Sequence, residues 1–214
     1  MKPFFITGTD TDCGKTYVSC QILDYLTQKP QKALALKPVA SGCLEKNGQL
    51  YSDDVLNLQE HNQDKSRQIN RWLFAPPISP HLAAKQLGIE IRAKDIAQFC
   101  LREEFENLDY LLIEGAGGLL APLNDEETWF DFLRLTQMPV IVVVGMKLGC
   151  INHALLTDAF LQARQIACTG WIANCLDKDM LVLAENIETL RSKMHCPLLA
   201  TIPYGGKIND DLCF

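Results

Sequence analysis

Six short, almost unbroken apolar runs punctuate the chain, and longer stretches with apolar residues at helical spacing lie between them. The runs are PFFIT (3–7), ALALK (33–37), DYLLIEG (109–115), PVIVVVG (139–145), GWIAN (170–174) and LLATIP (198–203). They are rich in residues that favour strands and too short for helices. Helical periodicity is clearest over 15–28, 92–106, 152–166 and 180–194. Apolar strands that do not alternate with polar positions are covered on both faces, so the pattern predicts an α/β fold, a mainly parallel sheet with helices on both faces. Functional residues then belong at the carboxyl ends of the strands. The Pro-rich FAPPISPH (74–81) reads as a connector, and GGKINDDLCF (205–214) as a polar tail.

Composition narrows this further. A chain of 214 residues, 48% of them hydrophobic, suits one domain spanning 1–214. The net charge of -6 leaves no broad cationic field to attract nucleic acid or an anionic bilayer. The opening MKPFFITGTD lacks the apolar length of a secretory leader, and VIVVVGM is far too short to span a membrane, so a cytoplasmic protein is expected. Nine cysteines (13, 20, 43, 100, 150, 168, 175, 196 and 213) form no CxxC pair, and the four histidines are scattered. Most of the thiols are expected to be reduced packing residues rather than disulfides or zinc ligands.

The first apolar run leads into GTDTDCGKT (8–16) and then a helix. That order suits a P-loop, in which backbone N–H groups and a helix N-terminus face phosphates, a lysine neutralises them and a hydroxyl reaches Mg²⁺. Lys15 and Thr16 fill the last two roles. The spacing departs from GxxxxGK[ST], because position 9 is Thr9 and Gly8 comes one residue early. Asp10 and Asp12 stand where an anion must sit; with phosphates held by backbone N–H groups, their side chains can turn away to organise the longer loop or orient a lysine. Cys13, beside the helix start and Lys15, is expected to be a partly ionised thiol, accessible in the empty loop and shielded by ATP.

Other candidates follow at the strand ends. Lys37 precedes Pro38, which holds it extended and ends its strand at the P-loop edge. YSDDV supplies Asp54, and Glu114 closes an apolar strand where a carboxylate can reach Mg²⁺ beside Thr16. Gly115, Gly117 and Gly118 then let backbone approach a ligand. Gly149, Cys150, Ile151 and Asn152 mark a helix start suited to a carboxylate, with Asn152 also reading as a plain N-cap. NCLD (174–177) superficially matches the guanine-reading NKxD, but Cys175 replaces its lysine.

Together GTDTDCGKT, KPVASG, SDD, SPH, EGAGG followed by PL, VGMKLGCINHALLT, GWIAN and PLLATIPY resemble the ordered motifs of the dethiobiotin synthetase family over about residues 4–204. The resemblance implies a single P-loop NTPase-like domain and a homodimeric, Mg²⁺- and ATP-dependent ligase with its sites at the dimer interface. Its reaction joins CO₂ to 7,8-diaminopelargonate through a carbamate and a carbamic-phosphoric anhydride, then closes a ureido ring. It implies a catalytic set of Lys15, Lys37, Thr11 and Ser41, and metal ligands Thr16, Asp54 and Glu114. Nucleotide contacts fall to Asp12, Cys13, Gly14, Lys15, Thr16, Tyr17, Asp54, Glu114, Gly115, Ala116 and Gly117, with Asn174, Cys175, Pro203, Tyr204 and Gly205 around the adenine. Substrate contacts fall to Ser41, Gly117, Gly149, Cys150, Ile151 and Asn152. The alternatives are a partition-type regulatory ATPase and a related amidoligase. Partition-type proteins carry an extra lysine five positions before the P-loop lysine, where this chain has Asp10.

Overall fold

The computed structural model describes residues 1–209, 211 and 212, so Cys213 lies outside the described residues. In chain order the strands of the main sheet are β1 (Lys2–Gly8) and β2 (Ala33–Leu36), followed after an excursion by β7 (Tyr110–Glu114), β8 (Val140–Met146), β9 (Cys168–Cys175) and β10 (Leu198–Ile202). They pair in the order β10-β9-β8-β1-β7-β2, and every registered pair is parallel. All six expected strands are present, with ends moved by at most two residues.

The excursion between β2 and β7 contains β3 (Val39–Ser41), β4 (Leu44–Lys46), β5 (Gln49–Tyr51), α2 (Asp53–His61), β6 (Trp72–Phe74), α3 (Pro80–Gln86) and α4 (Ala93–Cys100). None of these stood out in the hydropathy pattern except α4, because the pieces are short. The β4–β5 hairpin, for example, is mostly exposed.

Helix α1 (Lys15–Gln28) follows β1, while α5 (Trp129–Thr136), α6 (Cys150–Ala163) and α7 (Leu183–Lys193) connect the later strands. The β1-to-β2 crossover runs one way across the sheet and the crossovers that carry α5, α6 and α7 run the other way, so right-handed connection predicts α1 on one face and α5 to α7 on the other. The packing agrees: α1 meets α2, α4 meets α5, α6 meets α7, and Phe130 of α5 meets Phe160 of α6 at 5.4 Å between ring centroids. The helix expected over 92–106 is shorter. It ends at Cys100, and Arg102 turns aside to stack on Phe99 and Phe105 and to donate to the Gln68 carbonyl.

Between the helical layers the sheet is filled by Phe5, Ile6, Leu34, Leu36, Ile113 and the valines of β8, all essentially buried. The edge strand β2 is blunted by one side chain. Asn62, itself buried, accepts from Ala35 N–H at 2.7 Å and donates to Ala35 C=O at 3.0 Å, taking the place of a neighbouring strand. The expected polar tail is also anchored, since Leu212 is buried and Asp211 pairs with Lys29. No described helix is long and apolar enough to cross a membrane.

Candidate active site

A cavity of about 1010 Å³ opens at the carboxyl ends of β1, β2 and β7. One wall is the loop between β1 and α1. Its additional residue is absorbed by left-handed backbone at Asp12 (φ 58°) and Gly14 (φ 84°), the first being tolerable for aspartate. Gly14 caps α1 without any side-chain hydrogen bond, so first-turn N–H groups remain for an anion. By contrast α2 is capped by Ser52 and α5 by a Thr128–Asp131 capping box.

The glycines fix how the loop seats. A β-carbon at Gly8 would lie 2.3 Å from Cys13 Sγ, and one at Gly145 in β8 would lie 2.9 Å from Cys13 Cα. Cys13 therefore points into the sheet and is fully buried, which overturns its expected accessibility; only its backbone can face a nucleotide. Accordingly, native protein treated with iodoacetamide in the absence of nucleotide is expected to leave Cys13 unmodified by peptide mass spectrometry. Rapid Cys13 labelling that ATP suppresses would restore the accessible thiol.

Asp10 organises the outer side of the loop. Its Oδ1 accepts from Thr11 N–H at 2.8 Å, its Oδ2 pairs with Lys147 at 2.8 Å, and its carbonyl accepts from Lys15 Nζ at 3.1 Å. The Lys147 contact holds the Asp10 carboxyl below its usual range, and the same pair raises the Lys147 ammonium. Asp12 is exposed and lines the cavity with Thr11.

Beside the end of the loop, Lys37 is buried, with its Nζ 3.5 Å from Thr16 Oγ1. Its backbone is clamped from both sides: N–H donates to Ile69 C=O at 2.9 Å, and Asn70 Nδ2 donates to its carbonyl at 2.7 Å. Its ammonium lies between Glu114 Oε1, at 2.8 Å, and Asp54. Burial alone would lower its pKa, but the two carboxylates outweigh burial and raise it. Asp54 responds in the opposite sense: partial burial pushes it up, and the Lys37 charge and hydrogen bonds more than reverse that. Glu114 is completed by Thr16 Oγ1, which donates at 2.6 Å, and by Ser19 Oγ at 3.1 Å. Nearby, Cys20 is pushed up to about 12 by burial and the Glu114 charge.

Thr16, Asp54 and Glu114 thus present a hydroxyl and two carboxylates around one cation, the hard-oxygen chemistry that suits Mg²⁺ with phosphate and water completing its shell. The donor set fits the metal implied by the sequence. Among the described residues no cluster of three or more His, Cys, Asp or Glu offers an alternative metal site.

Thr11, Asp12, Gly14, Lys15, Thr16 and Tyr17 share the cavity with Lys37, Ser41, Asp54, Glu114, Ala116 and Gly117. Gly115 does not. Its missing β-carbon makes room for the Phe5 ring, 2.6 Å from where that carbon would be, so this glycine serves packing. Asn174 and Cys175 are buried outside the cavity, and Asn174 Nδ2 donates to Cys13 C=O at 3.0 Å, supporting the loop from behind. Pro203, Tyr204 and Gly205 form an exposed turn outside it. Gly149–Asn152 also stand apart: Gly149 (φ 92°) is the N-cap of α6, leaving Asn152 exposed in the first turn rather than capping it. The 74–81 segment is more than a connector, because Pro77, Ile78, Ser79 and Pro80 wall the cavity. The SPH motif was its only sequence signal; Asn57 and His61, also in the wall, had none.

A family model described as an AAA domain matches residues 2–211. The ATP-dependent dethiobiotin synthetase BioD of Legionella pneumophila (strain Paris) is 52% identical over 210 residues, covering 98% of this chain and 97% of the relative. The protein of the same name from Pseudoalteromonas translucida is 44% identical, covering 95% and 91%. Among solved structures, a ParA family ATPase from Chlorobium tepidum aligns over 94% of this chain and 83% of its own with a TM-score of 0.56 at 13% identity. MinD from Aquifex aeolicus aligns over 95% and 82% with a TM-score of 0.53 at 18% identity, and likeness at this level speaks for the fold alone. Identity of this extent over essentially the whole chain places it in one family: the chain belongs to the ATP-dependent dethiobiotin synthetases.

Proposed function

We propose that the protein carboxylates 7,8-diaminopelargonate with CO₂ and closes the ureido ring of dethiobiotin, converting ATP to ADP and phosphate. Its family makes it an ATP-dependent ligase of biotin biosynthesis; the particular roles below are our reading. The observation that carries it is the buried Lys37, presented between Asp54 and Glu114 in the same cavity that Lys15 lines. A nucleotide switch needs only the P-loop side of that arrangement. A ligase that activates a carbamate needs a second fixed cation where carbamate and γ-phosphate meet, and its task is positioning and charge stabilisation rather than covalent catalysis.

In this reading Lys15 and the N–H groups of α1 hold the β and γ phosphates, and Lys37 bridges γ-phosphate and carbamate. Thr11 and Ser41 contact the reacting groups. Thr16, Asp54 and Glu114 hold Mg²⁺, which supplies charge neutralisation at the phosphates when bound. Ala116 and Gly117 offer backbone to the ligands, and Pro203–Gly205 receive the adenine beside Asn174. The α6 start at Gly149–Asn152 receives the substrate carboxylate from a neighbouring subunit. Two features support a homodimer. The α6 start lies outside its own chain's cavity, and exposed Leu148, Leu156 and Leu120 surround that region. The partition-type alternative has the fold in its favour, but Asp10 stands where the extra lysine of that group belongs and is engaged with Lys147.

Single-turnover ADP formation tests the proposal. Mg-ATP, bicarbonate and the diamine together are expected to give ADP and dethiobiotin, identified by mass, and omission of the diamine should abolish both. ADP formation indifferent to the diamine would favour the switch.

A further inference from the structure

Two tyrosines on α1 hold the chain that follows β10. Tyr17 donates its hydroxyl to the Gly206 carbonyl. Two turns later Tyr25 Oη accepts from Leu212 N–H at 2.9 Å and lies 3.3 Å from Asp211 Oδ1. Lys29 pairs with Asp211 at 3.1 Å and lies 4.3 Å over the Tyr25 ring, while Leu212 is only 8% exposed. The segment is therefore moored at both ends along the helix that starts with Lys15 and Thr16. Among the described residues the far mooring has several side-chain contacts, whereas at the near one α1 reaches the turn through the Tyr17 hydroxyl.

That near mooring holds a turn with little other support. Gly206 N–H closes it on Pro203 C=O at 2.9 Å, Gly205 is left-handed at φ 62°, and Tyr204 is 60% exposed. The Tyr17 side chain also lines the cavity beside Gly14, Lys15 and Thr16. An aromatic ring chosen for packing alone would not need its hydroxyl, and Phe would cover the same surface. Here the hydroxyl connects the phosphate-gripping helix to the turn after β10.

We propose that Tyr17 is a positioning residue for nucleotide-base recognition: its hydroxyl clasps the 203–206 turn to α1, so a purine base meets a preformed turn at a fixed distance from the phosphate site. The inference rests on the reading that Pro203–Gly205 receive the base. It assigns the base-dependent part of nucleotide affinity, and not the phosphate part, to the hydroxyl contact between helix and turn.

Titration calorimetry with two probes, a non-hydrolysable ATP analogue and inorganic tripolyphosphate, each with Mg²⁺, tests this in the full chain. Tyr17→Phe is expected to weaken the analogue about five- to tenfold, the size of one net hydrogen bond, and to leave tripolyphosphate unchanged. The KM for ATP should rise by the same factor with kcat at saturation moving less than twofold, and the melting temperature should stay within a degree or two. Tyr25→Phe, which loosens only the far mooring, should weaken the analogue less than twofold. Equal weakening of both probes by Tyr17→Phe, or no weakening of either, overturns the clasp. The underlying reading has a separate check in the wild type, where the analogue but not tripolyphosphate should slow amide exchange at Tyr204–Gly206. Absence of that protection overturns base recognition by the turn, and the clasp with it.

Discussion

Lys37→Ala is expected to lower kcat by two orders of magnitude or more while ATP affinity changes little. The first expectation follows from removing one preorganised charge from the point where carbamate and γ-phosphate meet, a loss of the size found when a single transition-state contact is deleted. The second follows from placement: Lys37 enters from β2, whereas the N–H groups of α1 and Lys15 belong to the phosphate loop. The buried pairing adds a distinct signature. Lys37 and Glu114 side chains are 7% and 1% exposed, so deleting the cation leaves a buried carboxylate short of its partner, a defect that costs about 3 kcal/mol or more. The variant should therefore melt lower than wild type in chelator, and Mg²⁺ should restore part of the loss. Stopped-flow phosphate release and melting curves with and without Mg²⁺ read both effects. Turnover within a few-fold of wild type would remove Lys37 from the reaction.

Asn152→Asp should be nearly as damaging, through binding of the diamine. A negative charge in the first turn of α6 opposes the substrate carboxylate and cancels the favourable end of the helix dipole, so the KM for the diamine should rise at least tenfold with ATP affinity retained. If the helix serves the neighbouring subunit, Lys37→Ala and Asn152→Asp damage opposite halves of a shared site. After subunit exchange about half of the dimers are mixed, and each mixed dimer holds one intact and one doubly damaged site. About a quarter of all sites should then recover wild-type turnover. Verified exchange with no rise above the two parents would mean that each chain carries a complete site.

The parallel sheet was legible because its strands are nearly unbroken apolar runs, and the P-loop because Gly14-Lys15-Thr16 falls between a strand and a helix. The strand-end positions of Lys37 and Glu114 were legible too, since Pro38 and the glycines after Glu114 end their strands. Their mutual contact was not, because it joins residues 77 apart and depends on a backbone clamp from Ile69 and Asn70 that has no local pattern. Residues 38–91 were the least readable region. Strands of three residues carry no usable period, and ten of the 23 residues that line the cavity come from there. Asp10 was readable only as a choice between organising the loop and orienting a lysine, and it does both. Cys13 was misread because adjacency to Lys15 says nothing about which way a loop side chain turns.

Gly145 lies within an apolar strand where nothing in the hydropathy marks it, yet any side chain there would collide with Leu176 and with the loop at Cys13. The sheet therefore works as a mould: a notch in β8 receives the Cys13 side chain, and the curvature of the loop is impressed by that fit before any nucleotide arrives. Phosphate then encounters donors already aimed, and its binding energy is not consumed in folding the loop around it. The same fit makes the strand and the loop inheritable only as a pair, since a larger residue at 145 would demand a different loop, and a different loop would leave a hole in the sheet.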